Sequence, residues 1–176
     1  MAVRRFLVIH HTAGATGKSS VSSMRARGLA AHLVIERDGT IIQCRPFNKT
    51  CGHAGASSWT DPSTGHKFIG LNSCSIGIEL ANAGSDGSGA DAFDWAKKQP
   101  GFFSSRAKHK HESVVREWEG YSAAQLEACA EASKAIIARY NLDSVCGHDD
   151  ISPGRKTDPG PLFDWDSFRK KINFFV

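Results

Sequence analysis

Two histidines and an aspartate, far apart in the sequence, are the residues best suited to metal chemistry. His10 follows the short apolar run Phe6 to Ile9, whereas His148 and Asp158 lie ten residues apart in a segment rich in glycine and proline. A catalytic zinc ion typically takes three protein ligands, such as histidine nitrogens and carboxylate oxygens, and keeps a fourth position for water. These three residues can supply that set. Each also has a structural interpretation, with His10 as a core histidine and His148 hydrogen-bonded to Asp158.

Glu79 and Lys156 are the candidates for proton transfer and charge stabilisation. Glu79 lies in a segment, 74–80, that alternates as a β-strand does. One face carries Cys74, Ile76, Ile78 and Leu80, and the other carries Ser75, Gly77 and Glu79. Glu79 therefore projects over small residues, where a cleft has room to form. Pro159 disfavours the α region at Asp158, so residues 156–158 are expected to be extended, with Lys156 and Asp158 pointing the same way. A surface carboxylate and a solvated lysine are the alternative interpretations.

Short strands are predicted upstream of Glu79. The run Phe6 to His10 has the length and β-branched content of a buried strand that ends at the first histidine. Ala31 to Ile35 and Thr40 to Cys44 flank Arg37-Asp38-Gly39, which is typical of a β-hairpin turn. We therefore expect two neighbouring antiparallel strands.

Three helices are predicted. Ser19 to Gly28 is polar enough for a short surface helix. Ser122 and Gln125 form a capping-box pattern, and apolar residues recur at i+3 and i+4 as far as Tyr140. The last segment, Phe163 to Phe175, suggests a terminal helix. Its expected docking residues are Phe163, Phe168, Ile172 and Phe175.

Strands interleaved with helices predict an α/β protein with a mixed central β-sheet covered by helices. We expect one domain over residues 1–176. Residues 50–71 are rich in Gly, Ser, Thr and His, which predicts a long, substrate-facing loop rather than core. Residues 84–120 begin with a Gly/Ser/Asp stretch and then mix aromatic and charged residues without a clear period, so they are interpreted as an insertion without an assigned structure.

Composition limits the choice of cellular setting and partner. The chain has 176 residues, of which 40% are hydrophobic and 23% are charged, as in one globular domain. Its first apolar stretch is too short for a signal peptide and no stretch is long enough for a membrane span, so a cytoplasmic location at synthesis is expected. The net charge of +4 slightly favours anionic partners. The basic clusters, at 97–98, 106–111 and 169–171, are interpreted as solvated faces rather than a nucleic-acid site.

Five cysteines offer a different chemistry. They have no disulfide-framework spacing and are expected to be reduced and structural. Cys51 and Cys146 each lie two residues before a histidine, which allows the hypothesis of a cysteine hydrolase. A structural zinc site is a further alternative, although such sites usually contain cysteines.

Five segments, in this order, resemble the type 2 N-acetylmuramoyl-L-alanine amidases. They are Ile9-His10-His11-Thr12, His32-Leu33-Val34-Ile35 with Arg37-Asp38-Gly39, His53-Ala54-Gly55, Ser75-Ile76-Gly77-Ile78-Glu79 and the long run from Gly147 to Pro161. That family includes the bacterial anhydro-muropeptide amidase of cell-wall recycling, phage lysozyme-amidases and animal peptidoglycan recognition proteins. The long run is the most specific of these motifs. The resemblance implies the amidase/peptidoglycan-recognition-protein-like fold.

The resemblance also implies roles for single residues. It assigns a zinc ion to His10, His148 and Asp158, with His11 as a rival first ligand that the family pattern disfavours. It assigns acid/base chemistry to Glu79 and oxyanion stabilisation to Lys156, while the zinc ion acidifies water and polarises the scissile carbonyl. Substrate contacts are expected from His11, His53, Asn72 and Arg155.

The implied reaction is hydrolysis of the amide between the lactyl group of N-acetylmuramic acid and L-alanine, in peptidoglycan or muropeptide fragments. An aspartate as third ligand is most similar to the recycling branch, but residues 84–120 are longer than the matching stretch there. Recycling of fragments and lysis of intact wall therefore both remain open, the latter with access through phage lysis or a non-classical route. The alternative function is a non-catalytic peptidoglycan-binding module, which should lack a ligand or the acid/base residue. Nothing in the sequence indicates the oligomeric state.

Overall fold

A computed structural model describes residues 3–62, 64–87 and 90–174 of the chain. The described residues form nine β-strands and five α-helices. In chain order these are β1 Phe6–His11, α1 Gly17–Ala26, β2 Leu33–Ile35, β3 Ile41–Gln43, β4 Ser58–Thr60, β5 Lys67–Ile69, β6 Ser75–Leu80, α2 Ala90–Ala96, β7 Ser104–Lys108, β8 Val115–Glu119, α3 Ala123–Tyr140, β9 Ser144–Gly147, α4 His148–Ile151 and α5 Trp165–Ile172, with a 3-10 turn at Leu71–Ser73 before β6.

The central sheet has five strands in the order β3-β2-β6-β1-β9. Strands β2, β6, β1 and β9 run parallel, and β3 pairs antiparallel with β2, as the hairpin prediction required. The sheet is therefore mixed, which confirms the predicted fold class. Because the carboxyl ends of parallel strands meet at one edge, His10 in β1 lies opposite Glu79 in β6, and His148 follows β9 at the same edge.

The two faces of the sheet bury different clusters. On one face, Leu7, Ile9, Ile76, Ile78 and Leu80 pack with side chains of α3 and α5 in the main core. On the other face, a smaller cluster joins strand residues to the segment before β4 and to α4. It contains Phe6, Val8, Ala54, Leu71, Cys146 and Ile151. The predicted alternation in β6 is confirmed for Ile76, Ile78 and Leu80, and Glu79 lies on the smaller cluster's side. Cys74, predicted to share their face, precedes the strand and packs against the smaller cluster instead.

The long helix α3 begins as predicted, with one difference. Ser122 Oγ accepts a hydrogen bond from the backbone N–H of Gln125. The Gln125 side chain does not return to the cap, because its Nε2 donates to the carbonyl oxygens of Ile35 and Ala81, each at 3.0 Å. These two carbonyls lie at the ends of β2 and β6, so the glutamine fastens α3 to the sheet. The capping-box prediction was half right.

Helix α5 docks on the same face as α3. The Asp164 side chain caps it by accepting from the N–H of Ser167. Phe163, Phe168 and Ile172 are buried in the main core, as expected. The fourth expected docking residue, Phe175, lies outside the described residues.

Two segments, one predicted to be a loop and one left without an assigned structure, contain hairpins. In 50–71, β4 pairs with β5, and Cys51, Ala54 and Leu71 are buried, so the expectation of a loop without core residues was wrong. In 84–120, α2 is followed by the β7–β8 hairpin. Short strands that lack an alternating apolar pattern cannot be recognised from local sequence, because they form only when they pair with a neighbouring strand.

The segment 84–120 is anchored by buried polar contacts. Glu119 Oε1 forms an ion pair with Arg37 Nη2 at 2.6 Å, and Glu119 Oε2 accepts from the N–H of Ala83 at 2.6 Å. His109 Nε2 lies 3.0 Å from Asp149 Oδ2, so the segment also contacts helix α4. It is thus attached to the helix that carries His148.

Candidate metal centre and cleft

His10, His148 and Asp158 meet at the edge of the sheet. His10 Nδ1 lies 2.9 Å from His148 Nδ1 and 3.0 Å from Asp158 Oδ2, and His148 Nδ1 lies 2.9 Å from the same oxygen. All three residues are buried, and in the described part of the chain they are the one group of possible metal ligands so arranged. His11 is not in the group, so the structure brings His10 rather than its rival to this position.

The backbone explains why the three residues meet. Ile9 of β1 pairs with Gly147 of β9, which places His10 beside the first residue of α4. The N–H of Asp149 donates to the carbonyl oxygen of Asp158 at 2.8 Å, and this bond folds the loop back onto α4. His10 and His148 are 138 residues apart in the sequence, and the pairing of β1 with β9 brings them together.

The hydrogen-bond partners of the three residues indicate that the donor set fits a metal ion. His148 Nε2 lies 3.1 Å from the carbonyl oxygen of Ala54, which only accepts, so this nitrogen carries the proton and Nδ1 offers a lone pair in the neutral ring. Burial lowers the pKa of His10 to about 4, so it is neutral. Asp158 Oδ2 lies within 3.0 Å of both Nδ1 atoms and supplies a carboxylate oxygen. Two neutral imidazoles and a carboxylate are ligands that divalent metals such as zinc prefer.

A cleft of about 610 Å³ opens beside the three residues. Glu79 lines it, is 8% exposed and has a buried Oε2 without a hydrogen-bond partner. Burial, and after it the charge of Asp158, raises the pKa of Glu79 well above its ordinary value, with Lys156 opposing the shift. Lys156 is half-buried in the same wall. The structure thus places a carboxyl group of raised pKa and a lysine next to the candidate metal ligands.

His11 also lines this cleft. Its Nδ1 accepts a hydrogen bond from the backbone N–H of Ala13 at 3.2 Å, so in the neutral ring Nε2 carries the proton. Burial lowers the pKa of His11, which keeps the ring neutral. The Nε2 atom is buried and has no partner. His11 therefore offers an unused donor in the cleft.

Three other expected substrate-binding residues line the cleft, and each has at least one polar atom engaged within the protein. Asn72 Oδ1 accepts from the N–H groups of His53 at 3.0 Å and of Ala54 at 2.7 Å. Arg155 Nη2 donates to the carbonyl oxygen of Ala54 at 2.9 Å and to that of Ala56 at 2.8 Å. His53 contacts His10 with one ring nitrogen. These side chains hold the protein's own backbone and a candidate ligand.

Sequence reasoning missed the part of the cleft formed near helix α1. Met24 and Arg27, at the end of the predicted surface helix, line this cleft together with Leu29. It also missed the role of the Ala54 carbonyl oxygen, since a backbone acceptor leaves no mark in a sequence. His32, from the second of the family-like motifs, accepts from the N–H of Gly77 and contacts the carbonyl oxygen of Lys49.

The cysteines do not form a nucleophilic site. Burial raises the pKa of the Cys146 thiol well above its ordinary value, and its Sγ contacts the carbonyl oxygen of Leu7 inside the smaller cluster. Burial likewise raises the pKa of Cys51 to about 11. Because the thiolate is the reactive form, these positions argue against the cysteine hydrolase hypothesis.

Residues 2–161 match the family model described as N-acetylmuramoyl-L-alanine amidase. The chain belongs to this family. Among characterised relatives, this amidase-family domain is 34% identical over 146 residues to the 1,6-anhydro-N-acetylmuramyl-L-alanine amidase AmpD of Salmonella typhimurium, a match that covers 82% of this chain and 57% of the relative. It is 30% identical over 191 residues to the N-acetylmuramoyl-L-alanine amidase AmiD of Escherichia coli, with 98% of this chain and 58% of the relative covered.

A solved structure of AmiD from E. coli, in complex with anhydro-N-acetylmuramic acid-L-Ala-D-gamma-Glu-L-Lys, superposes on the domain with a TM-score of 0.73. The identity is 27%, and the match covers 100% of this chain and 59% of that one. The domain thus spans less than two thirds of the length of these relatives. Among its described residues, no helix is both long and apolar enough to cross a membrane.

Proposed function

We propose that this domain is a zinc-dependent N-acetylmuramoyl-L-alanine amidase, which hydrolyses the amide between the lactyl group of N-acetylmuramic acid and L-alanine in peptidoglycan or muropeptides. The observation that carries the proposal is the convergence of His10 Nδ1, His148 Nδ1 and Asp158 Oδ2 in the cleft that also contains Glu79. Family membership and the amidase names of the relatives support the reaction class.

Glu79 and Lys156 each have a role in this reaction. When bound, zinc supplies a Lewis acid that polarises a carbonyl group and acidifies water. Glu79 accepts the proton of the attacking water and returns it to the leaving amine of L-alanine, a task that suits a carboxyl group whose pKa is raised well above its ordinary value. Lys156 stabilises the negative charge that develops on the carbonyl oxygen.

The binding-module alternative receives no support. Such a module should lack a metal ligand or the acid/base residue, whereas His10, His148, Asp158, Glu79 and Lys156 all lie at or in the cleft.

The direct test uses defined muropeptides. Purified protein should release an intact peptide that begins with L-alanine, identified by mass, and the release should stop with a chelator and return with added zinc. Anhydro-muropeptides and intact sacculi, tested side by side, separate fragment recycling from wall lysis. Zinc-loaded protein that binds but cleaves neither substrate would overturn the proposal in favour of the binding module.

The unused donor of His11 leads to a second prediction. We propose that His11 Nε2–H donates to bound substrate, because a buried donor without a partner is costly and such a bond restores it. His11→Phe should raise KM by about 3–10-fold, the value of one hydrogen bond of about 1 kcal/mol, while the zinc dissociation constant stays the same. His66→Phe, at an exposed histidine of the β4–β5 hairpin, is the control. An unchanged kcat/KM in His11→Phe would refute this role.

A further inference from the structure

We propose that His53 and Ser75 are positioning residues that fix the tautomer and orientation of His10 toward the metal, rather than substrate ligands. The inference rests on the metal site of the proposed function. It follows from a chain of three hydrogen bonds that leads from His10 into the backbone before β6.

The direction of each bond follows from the last one. Ser75 Oγ lies 2.6 Å from the carbonyl oxygen of Leu71, so the serine hydroxyl must donate there. Its oxygen is then the acceptor for His53 Nε2–H, at 3.1 Å. A neutral His53 consequently offers a lone pair on Nδ1, which lies 2.9 Å from His10 Nε2. His10 must therefore carry its proton on Nε2, and its Nδ1 is left as a lone pair facing His148 and Asp158.

The surroundings of His53 prevent its ring from turning. The ring lies against the backbone of Gly77, where an added Cβ would come within 2.6 Å of His53 Cγ. The His10 ring meets it edge-on at 5.0 Å, and the His32 ring does so at 5.8 Å. Asn72 Oδ1 holds the backbone N–H of His53 from the other side. A glycine in the middle of β6 is thus explained by the close approach of this ring.

Ala54, the residue after His53, orients the second candidate ligand, His148. The carbonyl oxygen of Ala54 accepts from His148 Nε2, and the N–H of Ala54 donates to Asn72 Oδ1. Two consecutive residues, both held by Asn72, therefore orient both imidazoles. Because both ring nitrogens of His53 are engaged within the protein, its ring retains no polar atom for substrate. Partners of this kind, which bind the second nitrogen of a metal-bound histidine, set the tautomer and the affinity of a metal site.

The chain contains a matched control for a test. Ser75 and Ser144 are both buried and both pair with Phe6, one on each side of β1. Ser144 Oγ has no hydrogen-bond partner, whereas Ser75 Oγ is the middle of the proposed chain. Ser75→Ala and Ser144→Ala thus remove the same atom from equivalent places in the sheet.

The experiment measures zinc dissociation constants by competition with a chromophoric chelator, together with the visible absorption spectrum of the Co²⁺-substituted protein. Ser75→Ala should weaken zinc binding by about 10-fold and alter the Co²⁺ spectrum, and His53→Phe should weaken binding by about 10–100-fold. His53→Asn, whose Oδ1 can take the place of Nδ1 as acceptor, should recover part of the affinity. Ser144→Ala should match the unchanged protein.

Zinc binding by Ser75→Ala and His53→Phe as tight as by Ser144→Ala, in a protein that still cleaves muropeptides, would overturn the inference and leave the proposed function intact. Failure of the unchanged protein to bind zinc would overturn both this inference and the proposed function.

Discussion

Asp158→Asn is expected to remove metal binding and amidase activity together. Asp158 is the only carboxylate of the three, and an asparagine amide keeps its shape but not its charge. The loss of zinc affinity should exceed the roughly 10–100-fold loss that is typical when a residue hydrogen-bonded to a metal ligand is removed. The value of kcat/KM should fall on the order of 10³-fold. Because a ligand that binds only the folded state raises Tm, zinc should stabilise the unchanged protein but not the variant.

Asp61→Asn is the control for this change. Asp61 and Asp158 are each 6% exposed, and Asp61 Oδ2 accepts from Thr64 Oγ1 in the β4–β5 hairpin rather than in the cleft. Asp61→Asn should retain both the zinc-dependent rise in Tm and the activity. If Asp158→Asn kept a normal zinc-dependent rise, the assignment of Asp158 as a ligand would be wrong.

Glu79→Gln is expected to lower activity and raise stability at once. Losing the proton-transfer group should reduce kcat by about 10²–10⁴-fold, while zinc affinity remains because Glu79 is not a ligand. Burial raises the pKa of Glu79 well above 4.5 in the folded protein. Below the unfolded-state pKa both states hold the proton. Above it only the unfolded state releases the proton, so folded stability falls as pH rises, up to the folded-state pKa.

The glutamine variant cannot ionise and should escape this loss. In metal-free protein, Glu79→Gln should therefore match the unchanged chain near pH 4 and be more stable at pH 7–8, by about 1.4 kcal/mol for each unit of pKa shift. Urea unfolding at both pH values provides the measurement. Equal stability of the two proteins at pH 8 would show that Glu79 ionises freely in the cleft, and unchanged kcat would remove it from the mechanism.

Stability and function conflict at Glu79 for a simple reason. A carboxyl group that must exchange a proton near neutral pH has to be taken out of water, and burial without a partner costs folding energy. The unpartnered Nε2 of His11 is a second such cost in the same cleft. The lack of protein partners at Glu79 and His11 is explained if bound substrate and metal supply the missing contacts.

Local patterns predicted the elements well. Alternation placed Glu79 opposite the core residues of β6, Arg37-Asp38-Gly39 marked the β2–β3 hairpin, and Ser122 marked the start of α3. Each of these signals comes from residues within a few positions of one another, so a single sequence contains it. The polar hairpins in 50–71 and 84–120 were missed because their pairing has no such local pattern.

By itself, the sequence determined the family, the mixed α/β class and which residues are candidates for the site, because strand periods and motif order are properties of neighbouring residues. Only the tertiary structure decided what each candidate touches. His53 contacts a histidine 43 residues away, Gln125 binds carbonyls at the ends of two strands, and the Ala54 carbonyl oxygen meets His148. Hydrogen-bond partners so distant along the chain are set by strand pairing and packing, and these contacts separate a residue that binds substrate from one that orients a ligand.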